Sequence, residues 1–197
     1  MPATNATGAR ERLLDAARLR FGEEGAIAST LEDVRRDADV SVGALYHHFP
    51  DKRALAAAVY AEVMAAYQEG FVRELREQAT AEGGIRRGVE HHMRWIATHR
   101  GEASLLLAER LDSDALRHGN RVFFAAIEDW WRPHTAYGAL KALEPELTSA
   151  LWLGPAQEYC RHWLSGRPRR MGAAVVQTLA DAAWDTLREN RETEVSR

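Results

Sequence analysis

The chain has 197 residues, of which 46% are hydrophobic, and a formal net charge of -3. That length and apolar content suffice for one or two packed domains, and the charge does not by itself indicate a nucleic-acid-binding protein. The single cysteine, Cys160, excludes an internal disulfide and suits a reducing compartment. The N-terminus shows no apolar signal core, and the longest uncharged run, Leu147 to Gln157, is too short to span a bilayer. We therefore expect a soluble cytoplasmic protein with no membrane partner.

Almost every segment follows the helical period, and none alternates as a β-strand does. Apolar residues line one face of a first helix from Ala9 to Glu24. Thr30 has the position of an N-cap and opens a short helix that ends near Ala38. Ser41 opens a second short helix, which ends at His48.

A long helix capped by Asp51 follows. Its apolar residues repeat every four positions and form one stripe: Leu55, Val59, Val63, Tyr67, Phe71 and Leu75. After a break at Gly83-Gly84, the pattern predicts five further helices, at roughly 85–99, 101–112, 115–132, 144–165 and 171–190. The sequence thus predicts an all-α fold of about nine helices. The long helix is expected to belong both to a small N-terminal unit and to a larger C-terminal one.

The segment from Leu31 to His48 has the dimensions of a helix-turn-helix unit. Such a unit lays its second helix in the major groove of DNA and reads bases from the start of that helix. The residues there are small enough to let the backbone approach the groove floor: Ser41, Val42, Gly43 and Ala44. Side chains toward the other end lie within reach of phosphates: Tyr46, His47 and His48. A packing role alone stays open, because residues 1–53 carry eight basic and nine acidic side chains.

Lys52 stands in the first turn of the long helix, where the helix dipole disfavours a cation. A helix N-terminus is also a ready-made anion site. A DNA phosphate at this position would therefore make the placement of Lys52 favourable.

Several linked motifs between Arg10 and Leu55 resemble the DNA-binding domain of the TetR (tetracycline-repressor) family. They are RERLLDAARLRF, a Gly and then Thr30 at the next helix start, V-S-x-G-A-L-Y-H-H-F, and x-K-x-A-L at the opening of the fourth helix. The resemblance implies a helix-turn-helix DNA-binding domain over residues 1–53 and a ligand-sensing and dimerisation domain over 54–197.

The resemblance also assigns roles to residues. Phosphate contacts are implied for Thr30, Ser41, Tyr46, His48 and Lys52. Base reading is implied at or near Val42, Gly43, Ala44 and His47. The family commonly has a basic or polar residue where this chain has Val42. A valine packs on a thymine methyl group but cannot hydrogen-bond guanine, so base preference at that position is expected to differ.

By the same resemblance, the chain is a transcriptional regulator, expected to be a repressor, that binds double-stranded DNA at a palindromic operator and is released by a small-molecule effector. The pocket is expected among the middle helices around the fourth, with an apolar lining: Val63, Tyr67, Phe71, Met93, Trp95, Ile96, Leu106, Phe123, Ile127 and Trp152. His92 and Glu109 are the candidate polar groups. The lining favours an apolar or aromatic effector.

The last two helices have more apolar circumference than one neighbour would cover. In the family, such a pair forms a four-helix interface between two copies, so the chain is expected to be a homodimer. The candidate interface residues are Leu151, Pro155, Tyr159, Val176, Leu179, Ala183 and Leu187.

Eight histidines are the strongest argument for chemistry. His47 and His48 are adjacent, as are His91 and His92, so on a helix their side chains diverge by about 100° and chelate one ion poorly. The sequence has no zinc signature and no nucleophile, P-loop or dinucleotide motif. We therefore expect no enzyme, no metal and no cofactor. The alternative function left open is a helical sensor or carrier of an apolar ligand without DNA binding.

Overall fold

The computed structural model describes residues 8–24, 28–108, 113–167 and 170–189. Within these ranges nine α-helices form, which confirms the all-α prediction. They are α1 (Ala9–Glu24), α2 (Leu31–Asp37), α3 (Val42–His48), α4 (Lys52–Arg76), α5 (Ala81–Thr98), α6 (Arg100–Ala108), α7 (Asp114–Ala136), α8 (Pro145–Leu164) and α9 (Ala173–Leu187). None of the helices described is both long enough and apolar enough to cross a bilayer.

The chain divides into two compact units. Among the described residues, the first unit holds those up to Ala66 and those from His99 to Asn120. The second unit holds those from Tyr67 to Thr98 and those from Arg121 onward. The predicted boundary at residue 53 divides the chain by function and not by compactness, so it differs from these units and stays a prediction. All six tryptophans of the chain belong to the second unit: Trp95, Trp130, Trp131, Trp152, Trp163 and Trp184.

In the first unit, α1 is the helix around which the others pack. Its predicted apolar face is buried as expected: Leu13, Leu14, Ala17 and Phe21. It packs against α2, α3 and α6. Gly22 on α1 meets Gly101 on α6 so closely that a Cβ atom on Gly101 would lie 2.7 Å from the Cα of Gly22. The two backbones therefore touch where the helices cross.

The apolar stripe of α4 is buried as its four-residue spacing predicts. Leu55, Val59 and Val63 in the first unit, and Phe71 and Leu75 in the second, are at most 3% exposed. Tyr67, the remaining member of the stripe, is half-buried. Its hydroxyl makes the hydrogen bond described below.

In the second unit, α5 packs against α8 and α9, which also pack against each other. The side chains of Ile85, Val89 and Met93 on α5 are completely buried. The Trp152 indole of α8 lies on the α5 backbone at Gly88, where its Nε1 donates to the carbonyl oxygen of Ile85 at 2.9 Å.

The predicted break at Gly83-Gly84 is wrong, because both glycines lie inside the first turns of α5. Thr80 stabilises this earlier start, since its Oγ1 accepts a hydrogen bond from the backbone N–H of Gly83 at 3.0 Å. The Trp130 indole fills the space next to Gly84, so a Cβ atom at this position would overlap the ring. The glycine thus serves a close contact between α5 and α7.

Candidate functional site

The helix-turn-helix segment is held by side-chain caps at both helix starts. Thr30 Oγ1 accepts a hydrogen bond from the Asp33 N–H at 3.1 Å, and Ser41 Oγ accepts one from the Ala44 N–H at 3.2 Å. Both residues have the extended backbone of an N-cap. Asp39, in the turn between them, has a positive φ of 49°, a conformation that aspartate tolerates better than most residues. These caps confirm the two helix starts predicted from sequence.

Helix α3 has one buried face and one exposed face. Leu45 and the C-cap residue Phe49, four positions apart, are buried in the first unit. Elsewhere around the helix, Val42 is 54% exposed and Tyr46 is 55% exposed, so two large side chains face solvent. Gly43 and His47 are also exposed, so four candidate base and phosphate contacts share the open face.

Gly43 has no structural role among the described residues. A Cβ atom at this position would meet no atom within 4 Å. Its φ is not positive, so the backbone does not require glycine either. A glycine inside a helix costs about 1 kcal/mol relative to alanine. The chain carries that cost on the exposed face of α3.

Acidic side chains near α3 are paired with arginines. The carboxylates of Glu32 and Asp37 lie 2.6 and 2.7 Å from Arg35 and Arg20, respectively. Asp51 caps α4 by accepting from the Ala54 N–H at 2.7 Å. These carboxylates are thus engaged within the chain, although the net charge of residues 1–53 stays slightly negative because each pair also engages an arginine.

All nine candidate DNA-binding residues belong to the first unit. Thr30 and Ser41 are exposed helix caps, and Ala44 and His48 are half-buried on α3. Lys52 is the first residue of α4 and is half-buried.

A second cluster of interest lies in the second unit, between α4 and α5. The Tyr67 hydroxyl is 2.9 Å from Nδ1 of His92. Burial lowers the pKa of His92 to about 4, with a smaller contribution from the charge of His91, and burial raises the pKa of Tyr67. Both groups are therefore neutral at physiological pH. The Tyr67 ring also contacts the rings of Phe71 and Trp95, at centroid distances of 6.1 and 5.2 Å.

Next to this pair lies an ionic cluster centred on Glu74. His91 Nδ1 is 2.9 Å from Glu74 Oε1, and Arg94 Nη2 lies 2.5 and 2.6 Å from the two carboxylate oxygens. Burial acts to raise the pKa of Glu74, but the bonds from Arg94 and His91 outweigh it and hold the pKa below its ordinary value. This cluster was not among the predicted site residues. Its only signal is the regular spacing of charged residues along α5, which does not identify a partner on another helix.

The other effector-site candidates divide between the units. Val63 and Leu106 belong to the first unit, and Glu109 lies outside the described residues. The second unit brings Phe71 into ring contact with Phe123 at 5.7 Å and with Trp152 at 5.4 Å. Three further candidates on α5 and α7 are buried or half-buried in that unit: Met93, Ile96 and Ile127.

The candidate dimer residues fall into two groups. Leu151, Tyr159, Val176 and Leu179 are half-buried and Pro155 is exposed in a single chain. Ala183 and Leu187, by contrast, are 4% and 0% exposed because they face the interior of the second unit. These two cannot offer surface to a second copy. The prediction is wrong for these two residues because α9 packs against α5 and α8 of its own chain.

Metal binding and nucleophilic thiol chemistry are the two other activities to consider in the described part of the chain. No group of three or more metal-ligand side chains occurs there. Burial raises the pKa of the Cys160 thiol to about 12, so the thiol stays protonated and is a poor nucleophile.

Comparison with known proteins gives matches of two kinds. A family model described as bacterial regulatory proteins of the tetR family matches residues 13–59. The HTH-type transcriptional repressor KstR2 of Rhodococcus jostii (strain RHA1) is 32% identical over 80 residues, which cover 39% of this chain and 39% of that repressor. The match thus spans about two fifths of the length of that relative.

Solved structures extend the likeness in fold to most of the chain. A TetR family transcription regulator from Shewanella sp. PV-4, described as putative, has a TM-score of 0.76 at 16% identity, covering 92% of this chain and 99% of that one. The transcriptional regulator FadR of Bacillus subtilis, in complex with stearoyl-CoA, has a TM-score of 0.73 at 17% identity, covering 87% and 96%. The matched sequence coincides with the capped helix-turn-helix unit, and the family is one of regulatory proteins rather than enzymes. Over residues 13–59 the chain thus matches the tetR family of bacterial regulatory proteins, and its fold resembles that of TetR family regulators.

Proposed function

We propose that the protein is a transcriptional repressor that binds a palindromic DNA operator as a homodimer and is released by a small apolar or aromatic effector. The observation that carries the DNA-binding part is the exposed part of α3, which presents Val42, Gly43 and Tyr46 to solvent. Nothing within the described chain accounts for a glycine there, whereas close approach to a groove floor would. The word repressor in the name of the Rhodococcus relative supports the direction of regulation.

Selection of bound fragments from random DNA tests this proposal. Two copies of α3 related by a two-fold axis require two half-sites about one helical turn apart, roughly 10 base pairs or a multiple. We expect the selected fragments to contain such a palindrome. If no sequence is enriched and no fragment is retained at low salt, the alternative of an apolar-ligand sensor without DNA binding takes its place.

Gly43→Ala should separate folding from DNA binding. Alanine is the better helix former and meets no atom at this position, so we expect the free energy of unfolding to rise by about 0.5–1 kcal/mol. The added methyl group should hold α3 away from the groove and weaken operator binding at least tenfold. Urea denaturation and a fluorescence-anisotropy titration with the selected operator measure the two effects.

Gly154→Ala is a matched control, because that helical glycine on α8 also has open space around it. Because Gly154 lies on a helix of the proposed dimer contact, it serves as the control for stability alone, and Gly154→Ala should also raise the free energy of unfolding. Leu19→Ala, at a leucine that is 70% exposed on α1, is the control for operator affinity. If Gly43→Ala were stabilising and bound the operator as tightly as the wild type, α3 would not be the helix that enters the groove.

Lys52→Ala should weaken binding to all DNA sequences to a similar extent. Removing one phosphate contact from each subunit lowers the slope of log affinity against log salt by about one per subunit. Lys141→Ala removes the same charge from the second unit, where the lysine bonds the Thr186 carbonyl oxygen, and should leave the slope unchanged. An altered base preference with an unchanged slope would mean that Lys52 reads sequence instead of holding phosphate.

The dimer is proposed to form through the half-buried residues of α8 and α9. Left uncovered, their apolar surface would be an aggregation liability. In a two-fold symmetric contact, Leu179→Glu buries one charge from each copy, so we expect it to convert the protein to monomers. Sedimentation at low micromolar concentration measures this, and Leu19→Glu, at a leucine that is 70% exposed on α1, is the control. A wild-type protein that is mostly monomeric at that concentration would contradict the proposal.

Release by an effector requires that ligand and operator favour different conformations. A coupling of about 1–3 kcal/mol lowers operator affinity by about 5- to 150-fold, and the operator must lower effector affinity by the same factor. The buried aromatic side chains of the second unit support an apolar effector. The structurally similar FadR is in complex with stearoyl-CoA, whose acyl chain is apolar although its coenzyme A part is charged.

A further inference from the structure

Two adjacent histidines on α5 are both buried, and each has one ring nitrogen without a hydrogen-bond partner. His91 and His92 are 5% and 8% exposed. In both rings Nδ1 is engaged, whereas Nε2 is buried without a partner among the residues described. Buried polar atoms in native proteins are almost always paired, so each of the two needs an explanation.

His91 Nε2 is explained by its position against the backbone of α4. The partner of Nδ1 is the Glu74 carboxylate, which only accepts hydrogen bonds, so the proton of the ring lies on Nδ1. Nε2 then carries a lone pair. It lies beside Gly70, where a Cβ atom would stand 3.6 Å from it. This nitrogen therefore lies against the α4 backbone and near the Arg73 guanidinium, whose Nη2 would be 3.9 Å from the same Cβ atom.

His92 has the opposite arrangement. Its Nδ1 is bonded to the Tyr67 hydroxyl, and a phenol is a better donor than the imidazole N–H, while the imidazole nitrogen is the better acceptor. Tyr67 therefore donates to Nδ1. Because the buried ring is neutral, its single proton lies on Nε2. The chain thus holds a fixed N–H donor, with no acceptor in the described ranges, in a cluster of aromatic side chains.

The surroundings decide which acceptor suits this donor. In the ionic cluster next to His92, Arg94 is bonded to both oxygens of Glu74, and Arg87 Nε lies 3.8 Å from Oε2 of the same carboxylate. A carboxylate brought beside His92 would compete with Glu74 for these cations, and burying an anion without its own cation is highly unfavourable. An uncharged oxygen acceptor avoids that penalty.

We propose that His92 Nε2–H is the selectivity group of the effector site, and that it accepts an apolar ligand carrying an uncharged carbonyl oxygen in preference to a carboxylate. This inference rests on the proposed effector site and specifies its ligand class. Tyr67 acts as a positioning residue, since its hydroxyl fixes the proton of His92 on Nε2.

Imidazole ¹⁵N NMR of the full-length protein, labelled at histidine, tests the tautomers directly. We expect the proton of His92 on Nε2 and that of His91 on Nδ1. Tyr67→Phe should remove the preference at His92 and leave His91 unchanged. A His92 ring protonated on Nδ1 in the wild type would overturn the proposal.

The ligand class is tested with 2-nonanone and nonanoate on the same sample. We expect 2-nonanone to shift the His92 Nε2 resonance and to bind at least tenfold more tightly than nonanoate. His92→Phe should remove that preference. His92→Gln keeps an N–H donor and should retain part of it, and this variant provides the test if the phenylalanine variant fails to fold. A ketone that leaves the His92 resonance unmoved at its solubility limit, or a preference for nonanoate, overturns the inference.

Operator selection separates this outcome from the proposed function. The selection is carried out without any probe, so it does not depend on His92. DNA binding with no ketone response would sink only the His92 inference. A ketone response at His92 in a protein that selects no DNA would uphold the inference and overturn the regulator proposal.

Discussion

Gly88→Ala should be among the most destabilising single substitutions in the chain. A Cβ atom at this position would lie 2.5 Å from Cζ2 of Trp152 and 3.0 Å from Cζ of Phe71. Neither ring has room to yield, because both are buried and the Trp152 Nε1–H is bonded to the Ile85 carbonyl. We expect the free energy of unfolding to fall by about 3 kcal/mol, the upper end of the usual cost of overpacking, as measured by urea denaturation.

A double-mutant cycle identifies the cause. Trp152→Phe leaves a smaller ring against α5, so the added methyl group of Gly88→Ala should cost less in that background than in the wild type. The two changes should therefore be non-additive by at least 1 kcal/mol, as expected for residues in direct contact. Strict additivity would show that the contact between Trp152 and Gly88 is not what opposes the alanine.

Gly101→Ala should destabilise the first unit by forcing two helix backbones apart. Its Cβ atom would lie 2.7 Å from the Cα and 3.0 Å from the carbonyl carbon of Gly22. Backbone atoms cannot rotate away as a side chain can, so α6 must shift along α1. We expect a loss of about 2 kcal/mol in the free energy of unfolding and a weaker operator complex, since α1 also supports α3.

Gly43→Ala supplies the contrast for this experiment. The same chemical change in the same unit, but in open space, is expected to stabilise. Opposite signs at the two positions would show that the contact between α1 and α6 limits Gly101. Equal changes in the free energy of unfolding would mean that helix propensity alone explains both substitutions.

Features of the fold that depend on near neighbours in sequence were predictable. Thr30, Ser41 and Asp51 cap their helices as their positions predict, because an N-cap bonds a backbone N–H only two or three residues away. The buried stripe of α4 follows in the same way from a four-residue repeat. These local signals also carry the resemblance of the helix-turn-helix unit to the TetR family, which is why about 45 residues suffice to show it.

Features that depend on the rotation of one helix against another were not predictable. The Gly83-Gly84 pair looks like a helix break until the Trp130 indole is seen to occupy the space above Gly84. Likewise, the apolar surface of α9 does not reveal which residues face α5 in the same chain. The hydrogen bond between Tyr67 and His92 has no sequence signal, because the residues are 25 positions apart on different helices.

The confinement of all six tryptophans to the second unit gives the protein a built-in spectroscopic division. Emission excited selectively in the indole band originates in that unit alone, while the first unit contributes only tyrosine absorbance, from Tyr46 and Tyr60. If the effector binds beside Trp95 as proposed, it should alter the tryptophan emission directly. If operator DNA binds α3 as proposed, it contacts a unit that contains no indole. A change in tryptophan emission on adding operator would therefore indicate that binding at the first unit changes the conformation of the second unit.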